Sequence, residues 1–128
     1  MTASCPFCTL PSERVIDRCP SGVVIRDGFP ISLGHTLIIP TRHVGSFFEL
    51  EGNERGELLA LLDKAKIVLD TKFKPKGYNI GINDGPAAGQ TVLHLHIHLI
   101  PRFTNDRPDP RGGVRWIIPE KADYWSHR

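Results

Sequence analysis

The chain is 128 residues long, one domain's length, and its 40% apolar and 23% charged content is that of a globular protein rather than a disordered one. Sixteen Lys and Arg against fourteen Asp and Glu leave a net charge of +2, too even for a protein that grips nucleic acid through bulk charge. No apolar run approaches the ~18 residues of a membrane helix, and residues 1–8 lack the basic and apolar regions of a secretory leader. Cys5, Cys8 and Cys19 do not make a disulfide framework. They point to a reducing, cytoplasmic setting, with Cys5-Pro-Phe-Cys8 open to metal, redox or chance readings.

In chain order, Arg14–Arg18 and Gly22–Asp27 read as two short strands around a Cys-Pro-Ser-Gly turn. Asp27-Gly-Phe-Pro30 breaks the pattern, and His35–Ile39 reads as a third strand stopped by Pro40. Leu58, Leu61, Leu62, Ala65, Val68, Leu69 and Phe73 recur at three- and four-residue steps, which predicts a helix over 53–73 with one apolar stripe. Pro75 and Gly77 end it. Tyr78–Ile82 is a fourth strand, Asn83–Gly89 a turn, and Val92–Ile100 a fifth strand closed by Pro101. The tail after Arg102 reads as an irregular loop, an extended piece Val114–Ile118 and a polar end. Strands in succession, interrupted by one long helix, predict an α+β fold with an antiparallel sheet covered on one face.

Three of the six histidines stand in Leu93-His-Leu-His-Ile-His-Leu-Ile100. Side chains alternate along a strand, so His94, His96 and His98 share one face and Leu95, Ile97 and Leu99 the other. The apolar face belongs under the helix. The imidazole face must meet solvent, a metal or a ligand, since buried imidazoles without partners are costly. A His-x-His pair on a strand can chelate a metal, and an imidazole can attack phosphorus. The preceding Asn83-Asp-Gly-Pro-Ala-Ala-Gly-Gln-Thr-Val92 favours the second: its glycines allow close approach, and the N–H groups of Gln90, Thr91 and Val92 can face an anion.

His94-Leu-His-Ile-His-Leu-Ile100 resembles the histidine triad (HIT) motif, three histidines separated by apolar residues. Gly34-His-Thr-Leu-Ile-Ile-Pro40 and Ala88-Gly-Gln-Thr-Val92 resemble the family's other conserved segments, so the likeness covers about residues 5–102. It implies one HIT domain over residues 1–128, with a core at 5–102 and a tail at 103–128. The implied fold is a five-stranded antiparallel sheet with one long and one or more short helices, joined across a homodimer into ten strands. The implied activity is hydrolysis or transfer at the α-phosphate of an adenosine nucleotide, through a nucleotidyl-histidine formed on His96. By the same resemblance His98 and Gln90 contact phosphate, with Thr91 and Val92 in the phosphate loop. His35 supports the nucleophile, Asp27 takes the ribose hydroxyls, and Asn83 stands near the leaving group or the phosphate. Some members carry a structural zinc, for which the matching positions here are Cys5, Cys8, His43 and His94. No catalytic metal is implied, and Cys19 is left as a spare thiol.

Arg102, Arg107, Arg111 and Arg115 follow the catalytic strand, facing Asp106 and Asp109. As a group they are suited to the distal phosphates of a polyphosphate, which favours dinucleoside polyphosphates over phosphoramidates. Trp116 is suited to stacking on a base or packing on a dimer partner. Two readings from other classes stand beside this one: a non-catalytic nucleotide-binding protein, and a metallohydrolase with zinc on all three triad histidines.

Overall fold

A computed structural model describes residues 5–127; what was expected of residues 1–4 as leaderless lies outside them. The first two strands, β1 (Val15–Cys19) and β2 (Gly22–Arg26), are rich in β-branched residues and separated only by Pro20 and Ser21, so they close as a hairpin. A third strand, β3 (Thr36–Pro40), lies against β2 and includes Pro40 as its last residue. The helix α1 runs over Glu54–Phe73. It ends where Lys74 turns left-handed (φ 52°) and returns its N–H to Asp70 O, with Pro75 barring continuation. Two strands follow, β4 (Gly77–Gly81) and β5 (Ile97–Arg102). All pairings are antiparallel and the sheet order is β1-β2-β3-β5-β4. The expected five-stranded antiparallel sheet with one long helix is therefore present.

The two faces of the sheet have different tasks. Val24, Ile38, Ile97 and Leu99 pack with Leu58, Leu61, Ala65 and Leu69 of α1. At Gly22 an added Cβ would lie 2.9 Å from Ile39 O and against Leu58, so a glycine there lets α1 cross close over β2. On the opposite face Ile25, Leu37 and Ile39 form a smaller cluster under Phe7, Leu10, Val15 and Val23. Val68, assigned to the helix stripe by spacing, instead faces outward at 48% exposure.

Two further departures have clear causes. The fifth strand starts at Ile97, not Val92, and continues through Pro101 to Arg102. Arg102 directs its carbonyl to Lys76 N on the β4 side, so Pro101 points to the β3 side. There β3 begins only at Thr36, opposite Leu99, and no carbonyl of that strand waits for the missing N–H. The piece expected to be extended at Val114–Ile118 is a 3-10 turn over Gly113–Ile117. Gly112 and Gly113 both have positive φ (96° and 46°), which folds Arg115 N–H back onto Gly112 O. Among the described residues no helix is long and apolar enough to cross a membrane.

Candidate active site

β5 carries the site because alternation splits its side chains. His98 pairs with Leu37 of β3 and so lies on the face away from α1, while Ile97 and Leu99 are buried beneath the helix. Residues 94–96 precede the ladder, yet their alternation persists: Leu95 is in the helix-side core, whereas His94 and His96 both meet Phe7. His96 and His98 open into a cleft of about 1260 Å³, also lined by Asp27, His35, Asn83, Thr91 and Val92.

The hydrogen bonds fix which imidazole nitrogen carries the proton. His96 Nδ1 lies 2.8 Å from His94 O and must donate to it, leaving the lone pair on Nε2. His35 accepts from Ile31 N–H at Nδ1 (3.2 Å), so its proton is on Nε2, 2.9 Å from His98 Nδ1. His98 therefore accepts at Nδ1 and carries its own proton on Nε2. The two Nε2 atoms, one a lone pair and one a donor, make no hydrogen bond among the described residues. Asp27 Oδ2 approaches His35 Nε2 to 3.3 Å, and Oδ1 accepts from Phe29 N–H at 2.8 Å. Burial holds the pKa values of His35 and His98 below the ordinary 6.5; Asp27 opposes this, and the neighbouring imidazoles add to it at His98.

The 83–92 loop, which also lines the cleft, is turned by Gly85 and Gly89, both at positive φ (95° and 94°). Of its expected donors, Gln90 N–H is bonded to Gly85 O (3.2 Å). The Gln90 side chain is also fully used: Oε1 accepts from Gly85 N, and Nε2 donates to Gly45 O and Val92 O. Gln90 thus clasps the loop from beneath and does not line the cleft. The N–H groups of Thr91 and Val92 have no partner among the described residues, and both residues do line it.

His94 faces elsewhere. Its Nε2–H donates to Pro40 O (2.8 Å), which leaves the Nδ1 lone pair for the cluster of Cys5, Cys8 and His43. Nδ1 lies 3.5 Å from each thiol sulfur and 3.2 Å from His43 Nδ1, and Cys8 Sγ lies 3.1 Å from His43 Nδ1. These four residues form a possible metal site. Because His94 looks into it, the three triad imidazoles do not converge on one ion, contrary to the metallohydrolase reading. Cys19 is remote, packed at the edge of the core.

The arginines after β5 are mostly committed. Arg102 forks onto Asp106 and Asn79, Arg111 onto Asp109, and Arg115 onto the Lys121 and Ala122 carbonyls. Arg107 alone of the four is without a partner among the described residues. Of the four arginines read as a group suited to distal phosphates, three are thus already held by carboxylate, amide or carbonyl oxygens of the chain. What the sequence reading missed is apolar. Phe29, Ile31, Leu33, Val114 and Ile117 all line the cleft, beside the Trp116 that the sequence did single out. The signal was available in part, as large apolar residues inside segments otherwise read as turn and tail.

The family described as HIT domain matches residues 11–105. The chain is 37% identical over 107 residues to an AP-4-A phosphorylase of Mycobacterium tuberculosis, covering 79% of this chain and 55% of that one. It is 44% identical over 77 residues to the asymmetrical bis(5'-nucleosyl)-tetraphosphatase of Schizosaccharomyces pombe, covering 60% and 42%. The chain thus spans about half the length of either named enzyme. Among solved structures it is similar to a zinc-bound histidine triad family protein from Mycobacterium smegmatis, at a TM-score of 0.73 and 30% identity, covering 85% of this chain and 86% of that one. Motif, fold and matched span agree: this chain belongs to the HIT domain family.

Proposed function

We propose that the protein is a nucleotide hydrolase or nucleotidyl transferase acting at the α-phosphate of adenosine nucleotides through a nucleotidyl-histidine on His96. The observation that carries this reading is the pairing of tautomers. His96 holds its proton at Nδ1 against His94 O and offers the Nε2 lone pair. His98 is held in the opposite sense by His35, offering a donor 5.1 Å away between ring centroids. A neutral imidazole is a good nucleophile near neutral pH. The bond from Nε2 to phosphorus forms as the bond to the leaving oxygen or nitrogen breaks, and water then cleaves the phosphorus–nitrogen bond. His98 Nε2–H and the Thr91 and Val92 N–H groups, all lining the same cleft, are suited to take up the charge that grows on the phosphoryl oxygens. Asp27 is suited to the ribose hydroxyls and Asn83 to the leaving group. The similarity to an AP-4-A phosphorylase and a tetraphosphatase supports dinucleoside polyphosphates as the substrate class.

The metal in this reading is zinc, in a structural role. A tetrahedral zinc with two sulfur and two nitrogen ligands needs sulfur–nitrogen and nitrogen–nitrogen edges of roughly 3.3–3.6 Å. The edges here are 3.1 to 3.5 Å, and the Nδ1 lone pair of His94 is turned toward both thiols and His43, a donor set of the kind zinc takes. Bound there, zinc ties residues 5–8 to the segment after β3 and to the start of the triad. The cytoplasm suits thiols kept reduced. A homodimer is part of the same reading, supported by β4 as an open sheet edge with Ile80 half exposed.

The test is His96→Ala against a panel of dinucleoside polyphosphates and adenosine phosphoramidates, with AMP release measured. Turnover falls by on the order of a thousandfold or more while AMP still binds. Undiminished hydrolysis by the variant overturns the assignment. No AMP release by the wild-type protein from any of the panel favours a binding protein without catalysis.

A further inference from the structure

His96 lies outside the β ladder, which begins one residue later at Ile97. Its ring therefore depends on side-chain neighbours for its direction. Nδ1–H reaches His94 O, a bond that fixes one atom of the ring but leaves the ring plane to its packing. His98 lies on one side, with centroids 5.1 Å apart. The other aromatic contact is Phe7, also at 5.1 Å and inclined at 63°. Phe7 meets His94 too, edge to face at 5.9 Å and 88°.

Phe7 is itself held from three directions. It packs on the Ile25, Leu37 and Ile39 cluster, and it stands between Cys5 and Cys8, whose sulfur atoms both belong to the donor cluster. One ring thus touches a member of the possible metal site and the catalytic imidazole at once. We infer that Phe7 is a positioning residue: it holds the plane of the His96 imidazole and transmits the geometry of the Cys5–Cys8 loop to it. The inference rests on the reading of His96 as nucleophile. Its consequence is that filling the Cys/His cluster acts on the reaction mechanically, by way of Phe7, with no contact between metal and substrate. A misdirected attacking atom is costly even when everything else is bound correctly.

The experiment compares Phe7→Ala, Phe7→Leu and Phe7→Tyr with the wild-type protein, each loaded with zinc. Steady-state kinetics are followed together with 15N spectra of the imidazoles. Phe7→Leu keeps bulk without the ring, so it carries the test should Phe7→Ala fail to fold. The expected result is a kcat lowered roughly three- to tenfold with KM changed less than about twofold. The Nδ1–H signature of His96 is averaged in the same variants, and Phe7→Tyr restores both. Stripping zinc from the wild-type protein with a chelator gives the same averaged 15N signature. Wild-type kcat and imidazole spectra in Phe7→Leu overturn the inference. So does a rise in KM alone, which makes Phe7 a wall of the substrate cleft and nothing more. An unchanged His96 signature on zinc removal overturns the transmission from the loop. His96→Ala, run alongside, separates the two failures: if it is inactive while Phe7→Leu is normal, only the role of Phe7 is lost. If it remains active, the nucleophile assignment itself is wrong.

Discussion

Replacing His35 isolates a single proton. The residue is 3% exposed, accepts from Ile31 N–H and donates from Nε2 to His98 Nδ1 at 2.9 Å. His35→Leu fills similar space but removes the donor, so His98 Nδ1 faces a hydrocarbon and its ring is free to exchange tautomers. Losing one partner of a buried hydrogen bond costs about 1–3 kcal/mol. If His98 presents Nε2–H to the phosphoryl group in the transition state, as proposed, and the cost appears there, kcat falls roughly five- to 150-fold. His35→Gln is the informative partner, because glutamine Nε2 stands near the position of imidazole Nε2 and can still donate to His98. The assay is kcat and KM for AMP release by both variants, with thermal unfolding to confirm that each is folded. Leucine lowers kcat and glutamine recovers most of it, with KM nearly constant in both. A folded His35→Leu protein within twofold of wild-type kcat refutes the tautomer argument.

Zinc at the Cys/His cluster is the second test: if the proposed site binds it, a concentration a hundred times the dissociation constant adds about 2.7 kcal/mol, on the order of 10 °C in Tm for a chain this size. Chelation, Cys8→Ser or His43→Ala each remove that increment, whereas Cys19→Ser does not; equal Tm values with and without chelator count against the site. The third is pH. Burial lowers the folded pKa values of His35 and His98 from 6.5, so below that value the unfolded chain binds protons that the folded chain resists. Their contribution to stability is complete above the unfolded value and is lost as pH falls through it toward the folded values. Urea midpoints measured from about pH 8 down to about pH 5 decline in that window, and less steeply in His35→Gln; midpoints that rise on acidification contradict the burial argument.

Much of this molecule is readable from period alone, and the exceptions have physical reasons. Ile97, Leu99 and His98 declare both their strand and its two faces because alternation needs no distant partner. Val68 satisfies the helical spacing yet faces solvent, since spacing gives a stripe and not its width. Pro101 looks like a terminator until the register shows β3 starting too late to require its N–H. Gln90 and the tail arginines were the hardest to read, because a polar side chain serves whichever partner is nearer. For Gln90 this was its own loop, and for Arg102 it was Asp106, four residues on. His43 and Phe7 carry no local signal of the roles proposed for them. Both acquire them only when the chain brings residues 5–8 beside residue 94.

The same six-residue strand that supplies Leu99 to the interior supplies His98 to the cleft, on strict alternate sides. A slip of one position in its pairing would push imidazole under α1 and leave leucine facing the cleft. Misregistered chains are thereby penalised twice, by buried polar rings and by stranded apolar ones. A population that has folded has already been sorted for competence.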